Sequence, residues 1–313
     1  MRQEFGSAFL ASLVLACGSS PQQSPAHLYW VEQPSDCNTS KIRRTDLGSS
    51  TTTDVLSVPG SIDDLTVDQS GGMIYFTLGN TVQRIKLDGT GSETLATYQD
   101  PSFSTRGVAV DSDAHKAYWA TDAGCSPCPS CGPCGSIEGA SLDGSNPMTV
   151  LTLTGNKNPS SVALNASAGV LYWGDVQFEP QLSSVTTAGL NSTPIYSTPI
   201  GSTSLGVANV EVVSSLGKIY WLEEGRSLGV PAPIKRANLD GSSPDTVMTL
   251  GGTRASTPRG LSVDPVEGKV YWTESGFCGD STPGQIRRAS LDGSSIETVV
   301  SGIGIAIAVK VTR

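Results

Sequence analysis

Four of the seven cysteines stand in one short stretch, at a spacing that suits metal binding or disulfide formation. They are Cys125, Cys128, Cys131 and Cys134, each three residues after the one before. Thiolates this close together bind zinc or an iron–sulfur cluster in a reducing compartment and form disulfides in an oxidising one. The chemistry of this stretch therefore depends on where the protein resides.

The spacing fits neither metal centre well. The bacterial ferredoxin pattern has three residues before its fourth cysteine and a proline after it, whereas two residues precede Cys134 and Gly135 follows it. A structural zinc site usually takes its ligands as two well-separated pairs. We expect two disulfides here, with no metal and no cofactor; zinc and an iron–sulfur cluster are the alternatives. Three pairings of the four cysteines are possible, and the sequence does not choose among them.

The amino terminus indicates export from the cell. Residues 6–15 are mostly apolar, and the segment closes with Val14-Leu-Ala-Cys17, which resembles the lipobox of bacterial lipoproteins. On this interpretation residues 1–17 are an export signal, Cys17 carries the lipid, and residues 18–26 are a flexible tether. Ordinary secretion is the alternative. The apolar stretch is too short to span a bilayer.

Residues for catalysis are scarce. The chain has two histidines, His27 at the start of a predicted strand and His115 in a predicted tight turn, so a Ser-His-Asp or Cys-His arrangement finds little support. The formal net charge of −9 and the pI of about 4.7 argue against nucleic-acid binding. We expect a protein that is not an enzyme.

The residues of any functional site in this chain must be positioned by a repeated element. An aromatic pair recurs at intervals of 43 to 54 residues: Tyr29-Trp30, Tyr75-Phe76, Tyr118-Trp119, Tyr172-Trp173, Tyr220-Trp221 and Tyr271-Trp272. All five tryptophans of the chain occupy this one position, and Phe76 fills the sixth. The chain therefore consists of six repeats.

Each repeat predicts four short strands. An alternating apolar run such as Leu261-Ser-Val263 precedes the pair, and a turn residue such as Asp264 stands seven residues before the tyrosine. A second run ends in a Leu-Asp-Gly turn, as at Leu291-Asp-Gly293, where a hairpin needs a positive φ. A last short strand follows. Four strands in 40 to 50 residues are typical of one propeller blade.

These units resemble the YWTD (class B) repeats of the low-density-lipoprotein-receptor family, from His27 to the carboxyl terminus. The resemblance implies an all-β, six-bladed β-propeller with four antiparallel strands per blade. Only four of the six units have an acidic residue at the fourth motif position, namely Glu32, Asp175, Glu223 and Glu274. We expect these carboxylates to bond to neighbouring groups rather than to hold a cation.

The ring is predicted to close with its last strand. Residues 27–313 begin with the second strand of a blade, and Ile303-Gly-Ile-Ala-Ile-Ala-Val309 supplies an unpaired apolar strand at the other end. We expect this strand to complete blade one and remove the open edges, so that cutting the chain near Ser301 unfolds it. Blades six and one are then neighbours, and Cys37 and Cys278 in their equivalent loops are predicted to form a disulfide.

Four charged residues are candidates for a binding site near the central channel. Arg106 and Arg259 stand one residue before the inner-strand glycine of their blades, and Asp63 is the blade-two counterpart. Glu211 aligns with small residues in the other blades, so its carboxylate needs a partner, for which Arg106 and Arg259 are candidates. A structural ion pair and a site for an anion or a peptide carboxylate are both open.

The sequence thus predicts an exported, lipid-anchored, monomeric propeller that binds a protein or peptide without catalysis. Variable loops follow the aromatic pairs and emerge on one face with the connections between blades, and such a face usually carries function. The receptor-family resemblance implies recognition. The alternatives are a Ca²⁺-dependent hydrolase like the lactonase group, which would need several carboxylates and amides in the channel, and a purely structural envelope protein.

Overall fold

The chain folds into six four-stranded antiparallel sheets. The structure, a computed structural model, describes residues 26–100, 102–123, 135–154, 157–176, 181–198, 204–225, 231–251, 257–276, 278–279 and 282–313. These residues contain 24 strands and two short 3₁₀ segments, Ala166–Ala168 and Ser214–Leu216. In this part of the chain there is no helix long and apolar enough to cross a membrane.

Each sheet is one blade, and its strands are given from the channel outwards. Blade one contains β24 (Ile305–Thr312), β1 (His27–Gln33), β2 (Thr39–Asp46) and β3 (Thr51–Pro59). Blade two contains β4 (Ile62–Asp68), β5 (Met73–Leu78), β6 (Thr81–Lys86) and β7 (Glu93–Thr97). Blade three contains β8 (Ser104–Asp111), β9 (Lys116–Asp122), β10 (Gly135–Ser141) and β11 (Met148–Leu153). Blade four contains β12 (Pro159–Asn165), β13 (Val170–Asp175), β14 (Gln181–Thr186) and β15 (Thr193–Ser197). Blade five contains β16 (Ser204–Val213), β17 (Lys218–Gly225), β18 (Ala232–Asn238) and β19 (Asp245–Leu250). Blade six contains β20 (Thr257–Asp264), β21 (Lys269–Ser275), β22 (Gly284–Ser290) and β23 (Glu297–Ile303).

The last strand closes the ring, as the sequence predicts. β24 pairs with β1 through contacts that run from His27 opposite Thr312 to Gln33 opposite Ile305. It also packs against the inner strands β20 and β4 of the two neighbouring blades. The prediction of a six-bladed propeller with four antiparallel strands per blade is confirmed.

The aromatic pairs form the core between the blades. Neighbouring residues of a strand point to opposite faces of a sheet, so one pair serves two interfaces. Tyr220 packs with Trp272 of the next blade, and Tyr271 packs with Trp30 across the seam. The same pairing joins the other blades, so each of the six core clusters holds one tyrosine and the tryptophan or phenylalanine of the following blade. This arrangement explains why all five tryptophans share one position.

The acidic fourth motif position accepts a hydrogen bond from two of the buried indole groups. The Nε1–H of Trp272 donates to Oε1 of Glu274 at 2.7 Å, and Trp221 donates to Glu223 at 3.3 Å. Glu32 accepts a hydrogen bond from the backbone N–H of Gly304 at 2.8 Å. These carboxylates therefore have the structural role that the sequence predicts.

Blade three reaches the same result with different residues. Its fourth motif position is Thr121, so Trp119 donates instead to the hydroxyl of Tyr98 at 2.7 Å. Tyr98 in turn donates to Oε2 of Glu138 at 2.5 Å. Burial and the neighbouring Glu138 carboxylate raise the pKa of Tyr98.

Two faces of the ring differ in their connections. We define the loop face as the side that carries the connections after the second and fourth strands of each blade, for example residues 34–38 and 98–103. The turn face carries the tight turns after the first and third strands, for example residues 69–72 and 87–92. The Asp-Gly turns have the predicted positive φ, between 82° and 83° at Gly89, Gly144, Gly241 and Gly293.

A disulfide between Cys37 and Cys278 joins blades one and six on the loop face. The two cysteines are 241 residues apart in the sequence, so the bond encloses nearly the whole propeller. It therefore covalently secures the seam that β24 closes by hydrogen bonding.

Replacing Cys37 and Cys278 with serine is expected to lower the free energy of unfolding by about 2–5 kcal/mol, because the unfolded chain gains the freedom that the large covalent loop denies it. Urea denaturation followed by circular dichroism measures this loss. In dithiothreitol, wild type and variant are matched because all their cysteines are reduced, and their stabilities should then converge. Equal denaturation midpoints for wild type and variant under oxidising conditions would contradict the prediction.

Candidate functional site

A polar cavity occupies the centre of the loop face. It has a volume of about 240 Å³ and lies where the inner strands begin. The residues at one common position in the six inner strands line it: Asp63, Arg106, Ser160, Ala208, Arg259 and Ile307. The structure thus brings together three of the four residues predicted from the sequence, at the channel mouth as expected.

Arg106 is held between two carboxylates at this mouth. Its guanidinium lies 3.4 Å from Oδ2 of Asp63 and 3.2 Å from Oδ2 of Asp122. Asn158 donates from Nδ2 to the same oxygen of Asp122 at 3.2 Å. Arg106 consequently has a defined position while its side chain stays about a third exposed.

Charges of both signs share the cavity. Burial raises the pKa of Asp63, and the positive charges of Arg106 and Arg259 oppose that rise. Two guanidinium groups therefore face the same small space, and a carboxylate or another acceptor that enters the mouth meets donors from blades three and six.

Glu211 lies one level deeper and has a different partner from the one expected. Its carboxylate forms an ion pair with the ammonium group of Lys310 on β24, so the expectation that Arg106 or Arg259 would pair with it is wrong. Both side chains are more than four-fifths buried. Desolvation lowers the pKa of Lys310, but the charges of Glu211 and Asp64 outweigh it and the net shift is upward.

Glu211 and Lys310 occupy equivalent positions in their inner strands, on blades five and one. Blade six stands between these blades and contributes Ser262 at the same position, while Thr66 and Ala109 stand there in blades two and three. Small side chains on the remaining blades leave room for the pair to reach across the channel. A second cavity of about 140 Å³ is lined by the pair and by the small residues of this layer.

Asp64 lies between the two layers and links blades two and three. It stands where Gly107 and Gly260 stand in their blades, and it is 8% exposed. Its Oδ2 accepts the backbone N–H of Val108 at 3.2 Å, and its Oδ1 accepts that of Leu65 at 2.9 Å. Burial raises the pKa of Asp64 to about 6, against the opposing charge of Lys310 and these two hydrogen bonds.

Replacing Asp64 with asparagine is expected to flatten the dependence of stability on pH. The carboxyl has a pKa of 3.8 when unperturbed and about 6 in the folded protein, so the folded state binds the proton more tightly. Below about pH 4 the carboxyl makes its full contribution to the free energy of unfolding. That contribution is lost as the pH rises through 6. A shift of this size corresponds to about 3 kcal/mol.

Urea denaturation of wild type and Asp64→Asn at intervals from pH 4 to pH 7.5 measures this difference. The free energy of unfolding of the wild type should fall by about 2–3 kcal/mol relative to the variant across that window. Parallel curves would contradict the assignment.

Three residues of the site were not found by reading the sequence. Lys310 becomes visible once β24 is aligned with the other inner strands, because it then shares the position of Glu211. Asp64 is marked by a carboxylate where two other blades have glycine. Asp122 carries no pattern of its own, since its role depends on Arg106 in the adjacent strand of blade three and on Asn158 at the start of blade four.

Both histidines lie on the turn face, away from the cavity. Nδ1 of His27 contacts Oδ1 of Asp46 at 2.7 Å, and His115 is an exposed turn residue with a φ of 53°. Within the described residues, no group of three or more His, Cys, Asp or Glu side chains is arranged to hold a metal ion.

Two predictions lie outside the described residues. One is lipidation of Cys17 after the export signal. The other is the chemistry of the cysteine stretch, Cys125, Cys128, Cys131 and Cys134. Both stay predictions from the sequence.

The fold and the repeated aromatic pairs define a six-bladed propeller built from YWTD-type repeats. A human "Low-density lipoprotein receptor-related protein 5-like protein" is 28% identical over 165 residues, which cover 53% of this chain and 58% of that protein. "Low-density lipoprotein receptor-related protein 1" of Pyricularia oryzae is 31% identical over 180 residues, which cover 54% of this chain and 57% of that protein. The resemblance to low-density-lipoprotein-receptor repeats is therefore confirmed, and the match spans under three fifths of each relative. No family model matches the chain.

Solved structures share the fold at low sequence identity. A chain of a nidogen/laminin complex is 16% identical with a TM-score of 0.68, covering 92% of this chain and 98% of that one. TolB from Acinetobacter baumannii is 10% identical with a TM-score of 0.69, covering 91% and 66%. A luciferin-regenerating enzyme is 13% identical with a TM-score of 0.60, covering 88% and 95%. Because one neighbour is an enzyme, the fold alone does not decide between binding and catalysis.

Proposed function

We propose that this chain is an exported, lipid-anchored, monomeric propeller that binds a protein or peptide through its loop face and carries out no catalysis. The channel mouth is the centre of the binding surface. There an acidic side chain or a terminal carboxylate of the partner contacts Arg259 and Arg106. The similarity to receptor-related proteins and the named complex of a structural neighbour support recognition of a protein ligand.

The observation that carries this proposal is a pair of guanidinium groups, Arg106 and Arg259, that line one open polar cavity. Arg106 is oriented by Asp63 and Asp122, so little side-chain freedom is lost when a ligand binds. Guanidinium groups suit carboxylate recognition because their donors match the two oxygens in geometry. A neutral acceptor such as a backbone carbonyl fits the same donors less strongly.

Export is supported by two independent features. The amino-terminal residues end in the lipobox-like Val14-Leu-Ala-Cys17. The Cys37–Cys278 disulfide is of a kind that persists in oxidising compartments and is rare in the cytosol. In that setting two disulfides are the favoured state of Cys125, Cys128, Cys131 and Cys134.

A Ca²⁺-dependent hydrolase is the less favoured function. Such a site needs several carboxylates or amides that converge on one ion. At this mouth the guanidinium of Arg106 lies between Asp63 and Asp122, where a cation would have to compete with it. Deeper in the channel, Glu211 is already paired with Lys310.

Cross-linking capture from the native cell envelope tests the binding function. Three baits are compared: wild type, the double variant Arg106→Gln/Arg259→Gln, and Arg84→Gln. The last is the matched control, since Arg84 pairs with Glu93 near the turn face and far from the mouth. Captured proteins are identified by mass spectrometry, and circular dichroism verifies that each bait is folded.

The expected result is a partner captured by wild type and by Arg84→Gln and lost with the double variant. Equal capture by all three baits would show that the binding surface does not include the channel mouth. Capture by none of them would remove the support for a binding module. A calcium titration of the wild-type protein would then be the next measurement.

A further inference from the structure

Both ends of the folded propeller leave from the turn face. β1 begins at His27, which lies opposite Asp46 in β2 and opposite Thr312 at the end of β24. The backbone N–H of Leu47 donates to the carbonyl of Ala26 at 3.0 Å, which holds the start of the fold beside the turn between β2 and β3. A chain that continues toward the amino terminus therefore departs from this face.

The segment between Cys17 and the first strand spans the height of the ring only when it is nearly fully extended. Residues 18–26 are nine residues, and nine residues span at most about 30 Å. An inner strand of seven residues such as β4 rises about 23 Å from one face to the other. A tether that starts at the turn face cannot bring the loop face to its attachment point without near-complete extension, which reaches about 30 Å.

Exposed apolar side chains also lie on the turn face. Among the residues that the structure describes, the large hydrophobic side chains that are exposed are Leu190, Leu216, Val266 and Ile296. Leu216 and Val266 stand in the inner turns of blades five and six, and Leu190 and Ile296 stand in the outer turns of blades four and six. Blade six is the neighbour of blade one, from which the tether departs.

The charges of the turn face favour contact with a lipid surface that is not strongly anionic. The inner turns of blades four and five, Ala166–Ala168 and Ser214–Leu216, contain no charged residue. The outer turns carry exposed carboxylates at Asp88, Asp143, Asp240 and Asp292, and the inner turn of blade six carries the exposed carboxylate of Glu267 beside Val266. Carboxylates are repelled by anionic lipids, whereas zwitterionic headgroups offer an ammonium or choline group to contact them.

From these observations we infer that the turn face lies against the zwitterionic lipid surface that holds the anchor, with Leu216 and Val266 entering the headgroup region. Apolar side chains at a bilayer surface gain by burial at the boundary of headgroups and acyl chains. The loop face and its cavity then point away from the membrane, toward a partner. This inference rests on the proposed lipid anchor at Cys17.

Fluorescence quenching on vesicles tests the orientation. The acylated full-length protein is reconstituted into vesicles of phosphatidylcholine and phosphatidylethanolamine. A fraction of the phosphatidylethanolamine carries a collisional quencher on its headgroup. One fluorophore is attached through a non-natural azido side chain at Ser215 on the turn face or at Ser61 on the loop face. Both positions are exposed serines. Flotation and intact mass report separately whether the protein is anchored and acylated.

Quenching at Ser215 is expected to be several times larger than at Ser61. Equal quenching, or stronger quenching at Ser61, in protein that floats with the vesicles would overturn the orientation and leave the anchor intact. Protein that carries no acyl group and does not float would overturn the anchor, and the orientation with it.

A second variant tests the contact itself. The double change Leu216→Ser/Val266→Ser alters two exposed side chains, so the fold is expected to persist, which circular dichroism verifies. With the label at Ser215, quenching should fall well below that of the unsubstituted protein while flotation stays unchanged. Undiminished quenching would show that these two side chains do not enter the lipid surface.

Discussion

Truncation of the chain after Gly304 is expected to abolish cooperative folding. The cut removes β24, which forms the inner edge of blade one and packs against β4 and β20. It takes away four buried apolar side chains, Ile305, Ala306, Ala308 and Val309, and leaves β1 with an open edge. Domains of this kind have a free energy of unfolding of only about 5–15 kcal/mol. The loss of one complete strand at the ring closure is expected to exceed it.

Thermal denaturation followed by near-ultraviolet circular dichroism measures this result. The truncated chain should lack the transition of the full-length protein and should bind a dye for exposed apolar surface. Adding a synthetic peptide of residues 305–313 is the control, because a strand supplied in trans can occupy the vacant position and restore the transition. A truncated chain that melts at the wild-type temperature would contradict closure as the main source of stability.

Replacing Lys310 with methionine is expected to lower the free energy of unfolding by about 3–5 kcal/mol at pH 7.5, because it leaves the carboxylate of Glu211 buried without its partner. The double variant Lys310→Met/Glu211→Gln removes both charges and should recover most of that loss. The single variant should also regain stability at low pH. An unpaired buried carboxyl has a raised pKa, and its protonation in the folded state favours folding as the pH falls.

Urea denaturation is measured for the wild type, Lys310→Met, Glu211→Gln and the double variant. Together they complete a double-mutant cycle at pH 7.5 and pH 5. A coupling free energy near zero would mean that the pair contributes nothing to the fold. A Lys310→Met variant whose stability does not rise relative to wild type at pH 5 would contradict the buried, unpaired state of Glu211.

The pattern of residues along the chain was sufficient for the architecture. The register of the aromatic pairs predicted six repeats, and four short strands in 40 to 50 residues indicated that each repeat is one propeller blade. The apolar segment at the carboxyl terminus predicted the closing strand, since a blade that starts with its second strand lacks its first. The disulfide between Cys37 and Cys278 followed from the same closure.

The candidate site was only partly readable. Asp63, Arg106 and Arg259 were found because they share one position in a repeated strand, and equivalent positions in a ring converge on its axis. The partner of Glu211 was assigned wrongly because Arg106 and Arg259, although near in the alignment, lie one layer above it. Asp122 was missed because it belongs to a second strand, outside the inner-strand pattern.

What the sequence alone determined is thus everything that repeats: the number of blades, the core positions, the turns and the strand that completes the ring. Only the tertiary structure decided which charges meet. Glu211 and Lys310 are 99 residues apart and come from blades that are not neighbours, so their contact depends on the width of the channel at that layer and on the small residues around it. Repetition sets the direction in which a side chain points, but the distance across the ring sets its partner.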